Sequence, residues 1–194
     1  MTAAEIRLLP PLPAVMALAI AMAISACSLA RPHGSATGLR PLPPSTLGSS
    51  RSVRQVVHGA FGEHEVVFQF VVDAAPDHVT VVGLGALGQR WFSLRFDGNA
   101  LESEISPQAP ESLEPPRVLV DLQLALWPLA AWQQALAGSE WQLTEATPAT
   151  RRLWRAGRLV TEIHYTNSDP WQGRLWLSNF ELGYALTVES QALP

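Results

Sequence analysis

From Ser52 onward the chain changes its hydrophobic period once and then returns to it. Apolar residues recur at every second position in short runs, then at spacings of three and four between Leu119 and Leu136, then at every second position again. A period of two marks a strand with one buried face, whereas spacings of three and four put side chains on one stripe of a helix. Val53, Gln55 and Val57 alternate with Arg54, Val56 and His58, and a turn over 59–62 leads into a strand over 65–72. Further strands are expected over 79–84, 89–97 and 101–105. In the second of these, Phe92, Leu94 and Phe96 share a face, and Asp97-Gly98-Asn99 is a hairpin signal. A proline-rich stretch over 107–116 closes this half.

The triplets Leu119, Leu122, Leu126 and Leu129, Trp132, Leu136 predict two short helices meeting at Trp127-Pro128. Proline is excluded from a helix interior but fits a first turn. Leu124, Ala125 and Ala130 lie on other faces, so the pair is expected to be covered on more than one side. Alternation resumes over 141–145, 150–155, 158–165, 173–180 and 184–189. The expected fold is mainly β (α+β): a curled antiparallel incomplete β-barrel of about ten strands, with two short helices packed on its concave face. No internal repeat is convincing.

The N-terminal segment reads differently. Residues 14–24 are eleven positions without a charge, too short to span a bilayer and suited to a signal-peptide apolar region. They end at Ile24-Ser25-Ala26-Cys27, and Cys27 is the chain's single cysteine. This pattern resembles the lipobox of bacterial lipoproteins, in which the thiol is alkylated with diacylglycerol, the chain is cut before the cysteine, and the new amine is acylated. The resemblance implies a signal peptide over 1–26 and a lipidated Cys27. Acyl chains contribute about 0.8 kcal/mol per buried methylene, so three of them form a durable anchor. Ser28 stands where many Gram-negative inner-membrane lipoproteins have Asp, which implies the outer membrane, periplasmic face. With Cys27 used for the anchor, no disulfide is possible within one chain.

Residues 27–51 read as the lipidated cysteine followed by a tether. Pro32, Pro41, Pro43 and Pro44 mix with Gly34, Gly38, Gly48 and serines, with no acidic residue. Such a segment is expected to be disordered and, as a coil, to reach on the order of 25–30 Å. Residues 52–190 then form one domain. The net charge of −4 argues against nucleic acid and against electrostatic binding to anionic lipid. Seven tryptophans against two tyrosines suit a wide core or a lipid-facing pocket.

Several motifs offer chemistry that their context withholds. Gly83-Leu84-Gly85-Ala86-Leu87-Gly88 matches a dinucleotide fingerprint, yet a strand follows it where a helix is required, so it is read as a glycine-rich turn with two leucines at its tip. His58, Glu63, His64 and Glu65 read as a solvated hairpin, and His164 with Glu162 as an exterior pair. Arg151, Arg152, Arg155 and Arg158 flank Trp154. They are read as outward arginines pairing with Glu145 or Glu162, with an anionic headgroup as the alternative. There is no G-x-S-x-G and no H-E-x-x-H. The expectation is a non-enzyme without metal or cofactor.

Gly88-Gln89-Arg90-Trp91-Phe92-Ser93-Leu94-Arg95-Phe96-Asp97-Gly98, Leu122-Gln123-Leu124-Ala125-Leu126-Trp127-Pro128, Glu162-Ile163-His164-Tyr165 and Leu177-Ser178-Asn179-Phe180 resemble a family of small proteobacterial lipoproteins. That family is classed as a domain of unknown function, and its genes often lie beside those for aryl-polyene biosynthesis. At a coarser level the order of elements is similar to the LolA/LolB lipoprotein carrier and its outer-membrane receptor, incomplete barrels closed by helices around an apolar cavity. That resemblance implies a membrane- or partner-contacting role for Leu87, with Leu84 beside it.

These observations lead to an expected function. The protein would be an outer-membrane-anchored periplasmic lipoprotein that binds a hydrophobic ligand (a lipid, acyl chain or aryl-polyene conjugate) and assists its transport or insertion. The candidate cavity lining is Leu122, Leu126, Leu129, Trp132 and Leu136 from the helices, with Phe92, Leu94 and Phe96 from the sheet. The alternative is a structural or adaptor lipoprotein of an envelope export complex, with a filled interior. Export or lipoprotein-sorting components are possible partners, and a monomer is expected.

Overall fold

A computed structural model describes residues 38–111 and 113–193. The expected signal peptide (1–26), Cys27, Ser28 and the first part of the expected tether lie outside the described residues. Strands β1 (Arg51–Phe61), β2 (His64–Ala75), β3 (His78–Gly85), β4 (Arg90–Phe96) and β5 (Leu101–Ile105) precede helices α1 (Pro115–Leu126) and α2 (Leu129–Ala135). Strands β6 (Trp141–Thr147), β7 (Thr150–Arg155), β8 (Arg158–Tyr165), β9 (Gly173–Asn179) and β10 (Tyr184–Ala192) follow.

All ten strands join one antiparallel sheet in the order β5-β4-β3-β2-β1-β10-β9-β8-β7-β6. The first and last strands therefore pair at its centre, with Val57 opposite Val188. The sheet's two edges, β5 and β6, are consecutive in the chain, and the segment between them carries both helices. That segment has to travel from one edge to the other, which keeps the helices on one face. Register shifts at Gly83/Leu84, Glu145/Thr147 and Leu153/Trp154 add local twist, as bulges do, and favour curling. The mostly β, unclosed sheet with two short helices agrees with the alternation in the sequence.

Helix α1 opens on Pro115-Pro116 and stops at Trp127, whose extended backbone (φ −75°, ψ 155°) is the conformation favoured before a proline. Leu119, Leu122, Leu124, Ala125 and Leu126 are all buried, so the helix is covered on several sides. Part of that cover is a segment that composition assigns to the tether. Leu39 and Leu42 are buried in the core, and Pro44–Leu47 form a turn of 3-10 helix. The tether expectation is thus corrected for residues 38–50. Pro41 and Pro43 have no N–H to contribute, and Gln123, fully buried on α1, meets the backbone between them. Its Oε1 accepts from the Leu42 N–H at 2.7 Å and its Nε2 donates to the Leu42 carbonyl at 2.8 Å. A buried backbone needs such partners, and one side-chain amide supplies both.

The last carbonyls of α1 are satisfied from the sheet. Arg151 Nη1 donates to the carbonyls of Leu124 (3.2 Å), Ala125 (3.3 Å) and Trp127 (2.7 Å). Tyr165 donates its hydroxyl to the Ala125 carbonyl at 2.8 Å, and the Trp132 ring N–H donates to the Gln123 carbonyl at 2.9 Å. A cation at a helix C-terminus also meets the negative end of the helix dipole.

Candidate functional site: a cavity beneath the first helix

Between α1 and the central strands β1, β2, β9 and β10 lies a cavity of about 110 Å³, partly open to solvent. Alternation along the strands points Val57, Phe68, Phe70, Leu175, Leu177 and Val188 into it, while α1 contributes Val118, Leu122, Ala125 and Leu126. Leu113, before the helix, completes the apolar wall on that side. The polar members are Gln55, Glu114, Arg117, Asp121 and Tyr184. Among the described residues, no serine, threonine, cysteine, histidine or lysine stands in this wall.

Glu114, Arg117 and Asp121 are spaced three and four apart and so occupy one stripe at the start of α1. Arg117 pairs with Glu114 at 2.6 Å, and its guanidinium lies 5.9 Å from the centre of the Tyr184 ring. Phe61 stacks on the same ring at 5.7 Å. Tyr184 donates its hydroxyl to Asp121 Oδ2. Burial pushes the Asp121 carboxyl up to about 6, against the lowering effects of the Tyr184 hydrogen bond and the Arg117 charge. The Tyr184 phenol is pushed well above its usual range by burial first and the neighbouring carboxylate second. Away from this group, Gln55 donates to Ser190 Oγ at 3.0 Å.

Of the eight residues expected to line a cavity, Leu122 and Leu126 stand in this wall. The other six stand outside this wall, and Leu136 borders a separate pocket beside α2. Trp132 is 1% exposed and packed beside α1, with its ring N–H already bonded. Leu136 is buried at the end of α2, and Leu129 is half-buried at its start. Phe92, Leu94 and Phe96 are buried on β4, where Phe92 meets Phe70 edge-on at 5.7 Å. The sheet is wide, and α1 covers only its central strands with space to spare.

The glycine-rich motif is a strand, a turn and a strand. Gly85 N–H donates to the Gln89 carbonyl at 2.8 Å and Gly88 N–H to the Gly85 carbonyl at 2.9 Å. Gly83 is needed because a Cβ there would come within 2.1 Å of the Phe92 ring, and Gly88 because its φ is +80°. Leu87 stands at the tip, 92% exposed, whereas Leu84 lies within β3 and is half-buried, so only one leucine occupies the tip. The arginines of β7 and β8 divide their roles. Arg152 pairs with Glu162 at 2.5 Å, and Arg155 pairs with Glu140 at 2.8 Å and Glu181 at 3.5 Å. Arg151 caps α1. His164 is held between Glu162 (2.8 Å) and Thr150 (3.1 Å).

Sequence reasoning missed Asp121 and Tyr184. The 3–4 spacing of Glu114, Arg117 and Asp121 was available as a signal. Their proximity to Tyr184, 63 residues away, was not.

The model of a family described as "Protein of unknown function (DUF3261)" matches residues 52–192. The chain belongs to this family. The matched span runs from β1 to β10 and excludes the buried Leu39–Leu42 strap. No curated protein matches the chain.

Proposed function

We propose that this DUF3261 protein is an outer-membrane-anchored periplasmic lipoprotein whose half-barrel binds an apolar ligand under α1 and hands it on without covalent chemistry. The cavity carries this reading: fifteen of the twenty described residues in its wall are apolar, and it opens to solvent. Ligand sites are commonly concave and mostly apolar with a few placed polar groups. At about 110 Å³ the cavity is smaller than the roughly 300–1,000 Å³ of a drug-sized site, so it accepts the end of a chain rather than a whole lipid. A longer ligand requires α1 to swing. Its C-terminal end is pinned by Arg151, Tyr165 and Trp132, while its N-terminal half is held to the sheet by the Asp121–Tyr184 bond and apolar contact. The pinned end is a pivot.

The lipobox-like Ile24–Cys27 segment and Ser28 support the anchor and its outer-membrane address. The resemblance to LolA/LolB carriers and to lipoproteins found beside aryl-polyene genes supports an acyl chain or aryl-polyene conjugate as ligand. Leu87 at its hairpin tip would meet the membrane or a partner. The adaptor reading is favoured by a different observation, the exposed Phe180 (56%) and Leu182 (37%) together at the β9–β10 turn.

Lipid extraction and mass spectrometry of the protein purified from membranes tests the proposal. One co-purifying apolar species in near-stoichiometric amount is expected. Its absence, with Phe180 and Leu182 required for capture of an export component, would replace the carrier reading with the adaptor. For the anchor, Cys27→Ser is expected to abolish labelling by a clickable fatty acid, and undiminished labelling would remove the lipoprotein assignment.

A further inference from the structure

The cavity is graded along α1. Its wall at the start of the helix carries Glu114, Arg117 and Asp121, and its wall at the other end carries Leu122, Ala125 and Leu126. A ligand lying along the helix therefore meets charged groups at one end only; the remaining polar wall residue, Gln55, lies away from them and already donates to Ser190 Oγ.

The charge of that polar end is set by what is already paired. Arg117 is bound to Glu114 at 2.6 Å and sits over the Tyr184 ring. Asp121 gives one carboxyl oxygen to the Tyr184 hydroxyl, and its other oxygen takes no hydrogen bond among the described residues. That oxygen is free to accept, and a ligand donor placed against it gains a charge-assisted hydrogen bond without displacing a protein partner. An anion gains less: the one cation in the wall, Arg117, is already ion-paired with Glu114, so together they offer an anion no net charge. Pro115 and Pro116 have no N–H, and the next two amides, of Arg117 and Val118, are spent on the Glu114 carbonyl at 3.0 and 3.1 Å. The helix start thus lacks the free amides that hold carboxylates and phosphates.

We propose that the cavity selects an amphiphile whose polar group donates hydrogen bonds, an ammonium above a hydroxyl, seated against the free oxygen of Asp121 with its tail running toward Leu126. This rests on the ligand-binding reading above and assigns the ligand's polar end. Tyr184 is the positioning residue, holding the carboxyl so that one oxygen faces the cavity.

The test uses hexylamine, hexan-1-ol and hexanoate; the cavity is smaller than the roughly 150 Å³ that holds benzene, so part of each probe enters it and the rest extends through its solvent opening. Each is titrated into the full chain at about pH 7.5 while the methyl NMR signals of Leu122, Leu126 and Leu175 are followed. The expected result is saturable movement of these methyls, with hexylamine half-saturating at about tenfold lower concentration than hexanoate and hexanol between them. Asp121→Asn is expected to remove the amine's advantage while hexanol still moves the methyls. The order among the three probes on the native chain stands without the variant, so a misfolded variant does not rescue the proposal. Hexanoate binding as tightly as hexylamine would overturn the assignment of the polar end and leave the cavity reading intact. No movement with any of the three would overturn the cavity reading itself.

Discussion

Replacing Gln123 with leucine removes both hydrogen bonds that hold the Leu42 backbone to α1, at 2.7 and 2.8 Å, while keeping a side chain of similar size. Gln123 is 0% exposed, so neither the Leu42 N–H nor its carbonyl gains water in exchange as long as the strap stays in place. A buried backbone group left without a partner costs about 1–3 kcal/mol. Two such groups set an upper range of roughly 2–6 kcal/mol, and the added apolar burial of leucine offsets part of it. The strap can also detach, exposing Leu39 and Leu42, which caps the loss at the cost of uncovering two leucines, about 3–6 kcal/mol. The cheaper route sets the loss, about 2–4 kcal/mol once the burial of leucine is offset, read as a lower urea midpoint. Hydrogen exchange at the Leu42 amide separates them, since detachment accelerates exchange there well before global unfolding. A stability change below about 0.5 kcal/mol, with Leu42 exchange unaltered, would refute the claim that this amide fastens the strap.

Arg151→Met keeps the stem of the side chain but removes a donor to three α1 carbonyls, and a loss of about 1–3 kcal/mol is expected in thermal or urea unfolding. An effect within experimental error would show that Tyr165 alone suffices as the cap. The Asp121 carboxyl, raised from 3.8 to about 6, binds a proton in the folded protein that the unfolded chain releases. Its contribution to stability is therefore most favourable below about pH 4 and is lost as pH rises through 6, by about 3 kcal/mol at most. Asp121→Asn should abolish that decline, measured as the difference between the two proteins' stability–pH curves, because carboxylates such as Glu162, which its hydrogen bonds to Arg152 and His164 hold below the usual range, act in the opposite sense in both. Parallel curves would contradict the burial of Asp121.

The sheet and its helices were legible because their patterns are local. Phe92, Leu94 and Phe96 announce a strand within five residues, and Leu119, Leu122 and Leu126 announce a helix within eight. Trp127-Pro128 marks the break between helices by backbone sterics alone. The strap was hidden because Leu39 and Leu42 sit among prolines and glycines with no period, and only the tertiary partner Gln123, 81 residues on, makes them structural. Arg151 reads as one of four surface arginines until α1 is placed above it. The cavity wall was half legible for a related reason. The leucine stripe identified the face of α1, yet the sequence carries no signal for which part of a wide sheet that face covers. Trp132 and the β4 aromatics were therefore assigned to a space they do not reach.

The central claim, that the space under α1 is a binding site, is tested most directly by titrating an uncharged apolar fluorescent probe into the native protein and into Ala125→Leu. Ala125 lies in the cavity wall and is 4% exposed, so leucine there grows into the empty space. The account predicts saturable binding at one site by the native protein and at least about tenfold weaker binding by the variant, with a urea midpoint unchanged or higher because a void is filled. No binding by the native protein, or equal binding by both, would contradict it.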